Sequence, residues 1–208
     1  MRAVQNTTAI IALVGMPGCG KSTLRDALLA LLPEMKLRVK CVNLDTPDSF
    51  GITGVLRRVA NECLEEGNPR RSLLMWWLRL FQYEKAKRLL PEVDVLILDG
   101  SFETTRVHDQ FVNAVPSGIF DWLEKSLALE RHSTIFLDVS AKTALERKCS
   151  RTMPNIESAQ RLWLAYQLRA LQQSWIRING EMPVDQIGAQ AIRIIKDILP
   201  QAKMGATR

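Results

Sequence analysis

The chain has 208 residues and a net charge of +6, and 47% of its residues are hydrophobic. This apolar content excludes a disordered chain, and the length fits one domain with a sizeable core. The four cysteines show no C-x-x-C spacing, which argues against a zinc site or a disulfide framework, and no apolar run is long enough to cross a membrane. We therefore expect a cytoplasmic protein whose basic surface suits an anionic partner, such as a nucleotide or a nucleic acid.

In chain order, the sequence predicts strands that alternate with helices. The apolar run AIIALVG (9–15) predicts a first strand buried on both faces, and KSTLRDALLALLP after it predicts a helix. Further strands are predicted at 37–45, 93–100, 133–140 and 174–180. Further helices are predicted at 55–69, 70–91, 117–130, 141–151, 156–173 and 183–199.

This alternation predicts an α/β fold, a three-layer sandwich built around a mostly parallel sheet. We expect a single domain over residues 1–199, with a short helical lid at about 148–160. Residues 200–208 are predicted to form a disordered tail.

The stretch GMPGCGKST, between the first strand and the first helix, fits the phosphate-loop pattern G-x-x-x-x-G-K-[ST] and makes the predicted sandwich a P-loop NTPase fold. Glycines let successive backbone N–H groups face the phosphates, and the helix adds its positive N-terminal end. We expect Lys21 to reach the β- and γ-phosphates of ATP and the Ser22 hydroxyl to bind Mg²⁺. The predicted ATP-binding residues are Gly15, Pro17, Gly18, Cys19, Gly20, Lys21, Ser22 and Thr23.

Charged residues elsewhere complete the predicted phosphoryl-transfer site. Asp99 ends the third strand, where a carboxylate can hold Mg²⁺ directly or through water; capping of the next loop is the alternative. Arg147 and Arg151 have i,i+4 spacing, so we expect them to share one helix face and to stabilise the transferred phosphoryl group. The alternative is a solvated basic face. For Arg161, a contact with the phosphoryl group and a place on a solvated face are equally compatible with the sequence.

Several segments resemble the thymidylate kinase family of P-loop nucleoside monophosphate kinases, over roughly residues 9–199. SLLMWWLRLFQ resembles the helix whose arginine holds the acceptor phosphate, LDGSFETTRVHDQ the segment that carries small hydroxyl residues, and INGEMPVDQIGAQAIRII the segment near the adenine. The resemblance implies a five-stranded sheet of order 2-3-1-4-5 and a homodimer. It implies Arg79 as the contact to the acceptor phosphate. The other predicted acceptor-binding residues are Asp45, Phe50, Ser101, Phe102 and Thr105.

Three departures from the family pattern bear on the substrate. Gly18 stands where the family usually has an acidic residue, and Gly100 and Ser101 replace the arginine and tyrosine of its D-R-Y segment. The R-E-P-G-G loop becomes LDTPDSFG, so that Asp45 follows the second strand. A carboxylate there suits a hydroxyl acceptor, whose proton it would accept; a turn-capping role for Asp45 is equally compatible with the sequence.

Three functions follow from these features. The leading one is ATP- and Mg²⁺-dependent phosphorylation of a nucleoside monophosphate, dTMP first. The alternative is a P-loop kinase of a hydroxyl, either a deoxynucleoside or a modified base in DNA, with Asp45 as general base. The third is a non-catalytic nucleotide-binding switch. For Trp76 and Trp77, packing in the core or in a dimer is favoured over stacking on a base.

Overall fold

The sheet has five parallel strands in the order that the resemblance implied. The computed structural model describes residues 8–44, 54–55, 58–59, 68–111, 118, 132–148 and 153–205. The strands are β1 (Ala9–Val14), β2 (Val39–Asn43), β3 (Val95–Asp99), β4 (Ser133–Asp138) and β5 (Ile176–Asn179). They lie in the order β2-β3-β1-β4-β5, and each falls inside its predicted range. The predicted fold class is therefore confirmed.

Six α-helices connect the strands in the part of the chain that the structure describes. They are α1 (Lys21–Glu34), α2 (Pro69–Lys87), α3 (Phe102–Phe111), α4 (Ala141–Arg147), α5 (Ile156–Gln172) and α6 (Val184–Gly205). Side-chain caps fix three of their starts: Asn68, Ser140 and Asn155 each accept a hydrogen bond from a backbone N–H of the first turn of α2, α4 and α5. None of the described helices is long and apolar enough to cross a membrane.

The alternating side chains of β1 separate two apolar clusters. Ile11 and Leu13 are buried in one cluster with side chains of α1 and α6, and Ile10 and Ala12 are buried in the other with Trp76 of α2. Because successive residues of a strand point to opposite faces, β1 is apolar throughout and lies at the centre of three layers. Its C-terminal end, where the phosphate loop begins, is thereby held in place from both sides.

The structure corrects three of the predictions. The helix expected at 141–151 ends at Arg147, since Lys148 has an extended backbone (φ −159°), and Arg151 lies outside the described residues. The final helix continues to Gly205, so the prediction of a disordered tail from residue 200 is wrong up to that residue. Helix α3, which follows β3, has no counterpart among the predicted helices. The helices expected at 55–69 and 117–130 lie almost entirely outside the described residues.

Candidate nucleotide-binding site

The phosphate loop lies between the end of β1 and the start of α1, and close packing fixes its glycines. Gly18 (φ +83°) and Gly20 (φ +99°) have left-handed backbones that glycine adopts without strain. A Cβ on Gly18 would lie 2.4 Å from the carbonyl oxygen of Ala144 in α4. There is no room for a side chain at this place, so a larger residue at position 18 would require α4 to move.

The first residues of α1 face the loop. Lys21 Nζ donates hydrogen bonds to the carbonyl oxygens of Gly15 (2.7 Å) and Met16 (3.0 Å), so its ammonium group lies over the loop where phosphates are bound in this motif. Ser22 and Thr23 are exposed at the helix start. The loop therefore has the arrangement that the motif predicts: backbone N–H groups, one ammonium group and two accessible hydroxyls.

A cavity of about 470 Å³ opens over the phosphate loop. Its floor is formed by residues 17–24, and its walls come from the end of β4, the end of α4 and the connection between β5 and α6. The wall residues are Leu137, Arg147, Lys148, Gly180, Met182, Val184 and Ile187. The lining combines the phosphate loop and two basic residues with the apolar side chains of Met182, Val184 and Ile187, a combination that suits the phosphates and the base of a nucleotide.

Two contacts tie the cavity walls together. Arg147 Nη1 donates to the carbonyl oxygen of Gly180 (3.2 Å). Next to it, a Glu181 carboxylate oxygen accepts hydrogen bonds from the backbone N–H of Ser140 (3.0 Å) and the hydroxyl of Thr143 (2.9 Å). These bonds, that from the Ser140 N–H first, lower the pKa of Glu181. The β5–α6 connection, on the apolar side, is therefore fastened to α4, which carries the basic side.

Asp99 lies directly beside the phosphate loop. It ends β3 opposite Leu13 of β1, two residues before the loop begins. One of its carboxylate oxygens, Oδ2, accepts a hydrogen bond from Arg25 Nη1 at 2.8 Å, an ion pair that the sequence alone did not indicate. The other oxygen, Oδ1, accepts no hydrogen bond from the described residues.

The oxygen donors at this point fit Mg²⁺. Mg²⁺ in nucleotide sites is held by one or two protein oxygens together with phosphates and water, and Ser22 Oγ with Asp99 Oδ1 supply such a pair. Burial raises the pKa of the Cys41 thiol to about 11, so this side chain carries no charge near neutral pH. No cluster of three metal-binding side chains occurs among the described residues.

A second polar region lies beyond Asp99, between α2 and α3. The side-chain atoms Gln82 Nε2, Ser101 Oγ, Thr104 Oγ1 and Thr105 Oγ1 are buried without a hydrogen-bond partner among the described residues. Buried polar groups are normally paired, because an unpaired one costs about 1–3 kcal/mol. Two guanidinium groups, those of Arg79 and Arg106, are also buried in these helices, with 6% and 5% exposure. We refer to these six residues as the α2–α3 polar region.

The aromatic residues near this region have packing roles. Phe102 is buried with its ring centroid 4.9 Å from that of Trp76 and 5.7 Å from that of Tyr83. It joins α3 to α2 in the core, and its predicted contact with the acceptor stays a prediction. Core packing of Trp76 is confirmed, whereas Trp77 is 45% exposed and pairs with the exposed Phe81.

Some residues that the sequence analysis singled out lie outside the described structure, and others lie on its surface. Asp45, Phe50 and Arg151 lie outside the described residues, and their roles stay predictions. Arg161 is exposed and paired with Glu157 one helical turn away, as on a solvated face. Asp138, at the end of β4, accepts hydrogen bonds from side chains of α5 and β5, while Ser140 caps α4.

A comparison with known protein families supports the interpretation of this site as a phosphate loop of an NTPase. The family model described as an AAA domain matches residues 4–101, a stretch that contains the phosphate loop, α1 and Asp99. No curated protein matches the chain. The match and the fold together indicate a P-loop NTPase domain, a class whose members bind ATP or a related nucleotide. The match supports the P-loop NTPase class that the motif predicted. It gives no support for the thymidylate kinase family in particular.

Proposed function

We propose that the protein is an ATP- and Mg²⁺-dependent phosphotransferase whose acceptor is a nucleoside monophosphate, with dTMP as the first candidate. The observation that carries this proposal is the α2–α3 polar region beyond Asp99. Its unpaired buried atoms Gln82 Nε2, Ser101 Oγ and Thr105 Oγ1 are donors and acceptors without partners among the described residues. A bound acceptor with its own polar groups would satisfy them.

The donor side supplies charge and positioning. Backbone N–H groups of the loop and Lys21 hold the phosphates of ATP, and Arg147 and Lys148 line the same cavity with further positive charge. Ser22 and Asp99 would hold Mg²⁺, which would supply positive charge against the negative charge of the phosphates during transfer. Phosphoryl transfer needs little covalent help, so a fixed phosphate loop and surrounding cations supply most of what the reaction requires.

An ionised phosphate suits the acceptor side. Two buried guanidinium groups, Arg79 and Arg106, place positive charge in the helices that flank the polar region. A phosphate acceptor attacks in its ionised form and needs no strong general base, so the reaction does not depend on Asp45. A hydroxyl acceptor would depend on such a base. The chemical group that accepts the phosphoryl group, an ionised phosphate or a hydroxyl, thus distinguishes the two kinase hypotheses.

The experiment is an acceptor screen with γ-labelled ATP and Mg²⁺. dTMP, other nucleoside monophosphates, deoxynucleosides and DNA are incubated in parallel, and the labelled products are separated. The proposal expects label in a nucleoside diphosphate. Label on a nucleoside or on DNA alone would replace it with the hydroxyl-acceptor hypothesis and direct attention to Asp45.

A second candidate is hydrolysis of ATP without an acceptor, coupled to a change in a partner. The match to the AAA domain model favours it, because that match covers the phosphate loop and Asp99 and ends before α3. In the same screen this candidate expects label only in inorganic phosphate, at a rate that no acceptor alters.

A further inference from the structure

The ion pair between Arg25 and Asp99 joins the phosphate-loop helix to the end of β3. Arg25 lies on α1, three residues after Ser22, so both side chains are on the same side of the helix. Its guanidinium group is shared: Nη1 donates to Asp99 Oδ2 (2.8 Å) and Nε to Asp26 Oδ1 (2.9 Å). The Asp99 side chain is only 11% exposed, so the charge of Arg25 acts on it with little screening by water.

We infer that Arg25 controls when the divalent cation binds, by neutralising Asp99 until a nucleotide brings further negative charge. Arg25 contacts one oxygen of Asp99 and also pairs with the more exposed Asp26, so its charge offsets part of the negative charge of the buried Asp99 carboxylate, and Ser22 adds only a neutral hydroxyl. Such a site attracts a bare cation weakly, whereas the phosphates of ATP supply the charge that holds it. The cation therefore enters with the nucleotide. Arg25 acts through Asp99 and is a positioning residue.

The same strand carries a matched pair at its other end. Arg38 donates to both oxygens of Asp94, which directly precedes β3, at 3.1 Å for each side-chain contact. This Arg–Asp pair also ties a neighbouring segment to the start of the sheet, but it lies at the edge opposite the phosphate loop. An Arg38 variant therefore shows what the loss of such a pair does to the protein without a change near Asp99.

The test measures binding of Mn²⁺ alone, as a spectroscopic substitute for Mg²⁺, to the full-length protein without nucleotide. In Arg25→Gln the positive charge is lost while an amide can still donate to Asp99, and Mn²⁺ should bind about tenfold more tightly than to the wild type. Arg25→Lys keeps the charge and should leave the Mn²⁺ affinity within about twofold of the wild type. Arg38→Gln should also leave it unchanged.

Two further variants complete the test. Arg25→Met removes the charge in a second way, in case Arg25→Gln folds poorly. Adding Asp99→Asn to Arg25→Gln should abolish the gain in Mn²⁺ affinity. Unchanged or weaker Mn²⁺ binding in both charge-removing variants overturns the inference. The inference rests on the nucleotide-binding class and not on the acceptor, so a protein that only hydrolyses ATP would still show the predicted Mn²⁺ affinities.

Discussion

The two halves of the sheet differ in how their polar groups are satisfied. On the β4–β5 side of β1, the cavity walls are joined by specific hydrogen bonds, such as those that Glu181 accepts. On the β3–β2 side, α2 and α3 bury hydroxyl and amide atoms that have no partner in the described part of the chain. Where the walls already hold one another by hydrogen bonds, a ligand meets a site that needs little rearrangement. Where buried polar atoms lack partners, a ligand that supplies those partners gains binding free energy. This contrast is the basis for assigning the donor to one side and the acceptor to the other.

The largest effect should come from the residue on which the donor half depends. Lys21→Ala removes the ammonium group over the phosphate loop and should lower the rate of ATP turnover by roughly a hundred- to a thousandfold, as expected for loss of a charge that stabilises the transferred group. Steady-state release of ADP measures it. Lys40→Ala, which removes an exposed lysine paired with Glu92, is the control and should be near wild type. A Lys21→Ala protein with ordinary turnover would remove the phosphate loop from the account.

An intermediate effect is expected in the acceptor half. Thr105→Val replaces the unpaired hydroxyl by a methyl group of similar shape, and should raise the KM for the acceptor about tenfold while leaving the KM for ATP unchanged. The same change should stabilise the protein by about 1 kcal/mol, since it removes an unsatisfied buried polar atom. Thermal unfolding and acceptor kinetics test the two parts separately. If the variant is destabilised and binds the acceptor normally, the hydroxyl has a structural role only.

The smallest effect belongs to the hydrogen bonds that complete the donor half. Glu181→Gln weakens the bonds from Ser140 and Thr143 and should raise the KM for ATP about threefold, with the acceptor KM unchanged. The hydrogen bonds to Glu181 lower its pKa, so they stabilise the folded protein through the ionised carboxylate. This stabilisation is fully present above the ordinary pKa of a glutamate and is lost as the pH falls through the lowered value. The difference between variant and wild type should therefore be constant around neutral pH. A change confined to the acceptor KM would contradict the assignment of the two halves.

How much of this the sequence predicts depends on how local the signal is. The phosphate loop is a contiguous motif, and β1 is an unbroken apolar run, so both follow from short stretches of sequence. The position of Asp99 beside the phosphate loop also follows from the sequence, because the ends of parallel strands meet at one edge of a sheet. The ion pair between Asp99 and Arg25 does not, because the two residues are 74 positions apart and only the packing of α1 against the sheet brings them together.

The helix boundaries show the same limit. Helix α3 begins at Phe102 directly after Asp99-Gly-Ser, without a proline at its start, and core contacts with α2 help to hold it. The end of α4 at Arg147 also has no glycine or proline signal; Lys148 leaves the helix where Gly18 packs against Ala144. Such boundaries are set by tertiary contacts, which a local pattern does not contain.

The most direct test of the two-sided site is calorimetric titration of dTMP into protein already saturated with a non-hydrolysable ATP analogue and Mg²⁺. The account predicts that dTMP binds with the analogue in place, and that Thr105→Val weakens this binding while leaving the affinity for the analogue unchanged. Displacement of the analogue by dTMP would show that both compete for one site. That result, or an absence of binding by dTMP and by every other monophosphate, would contradict the assignment of donor and acceptor to opposite halves of the sheet.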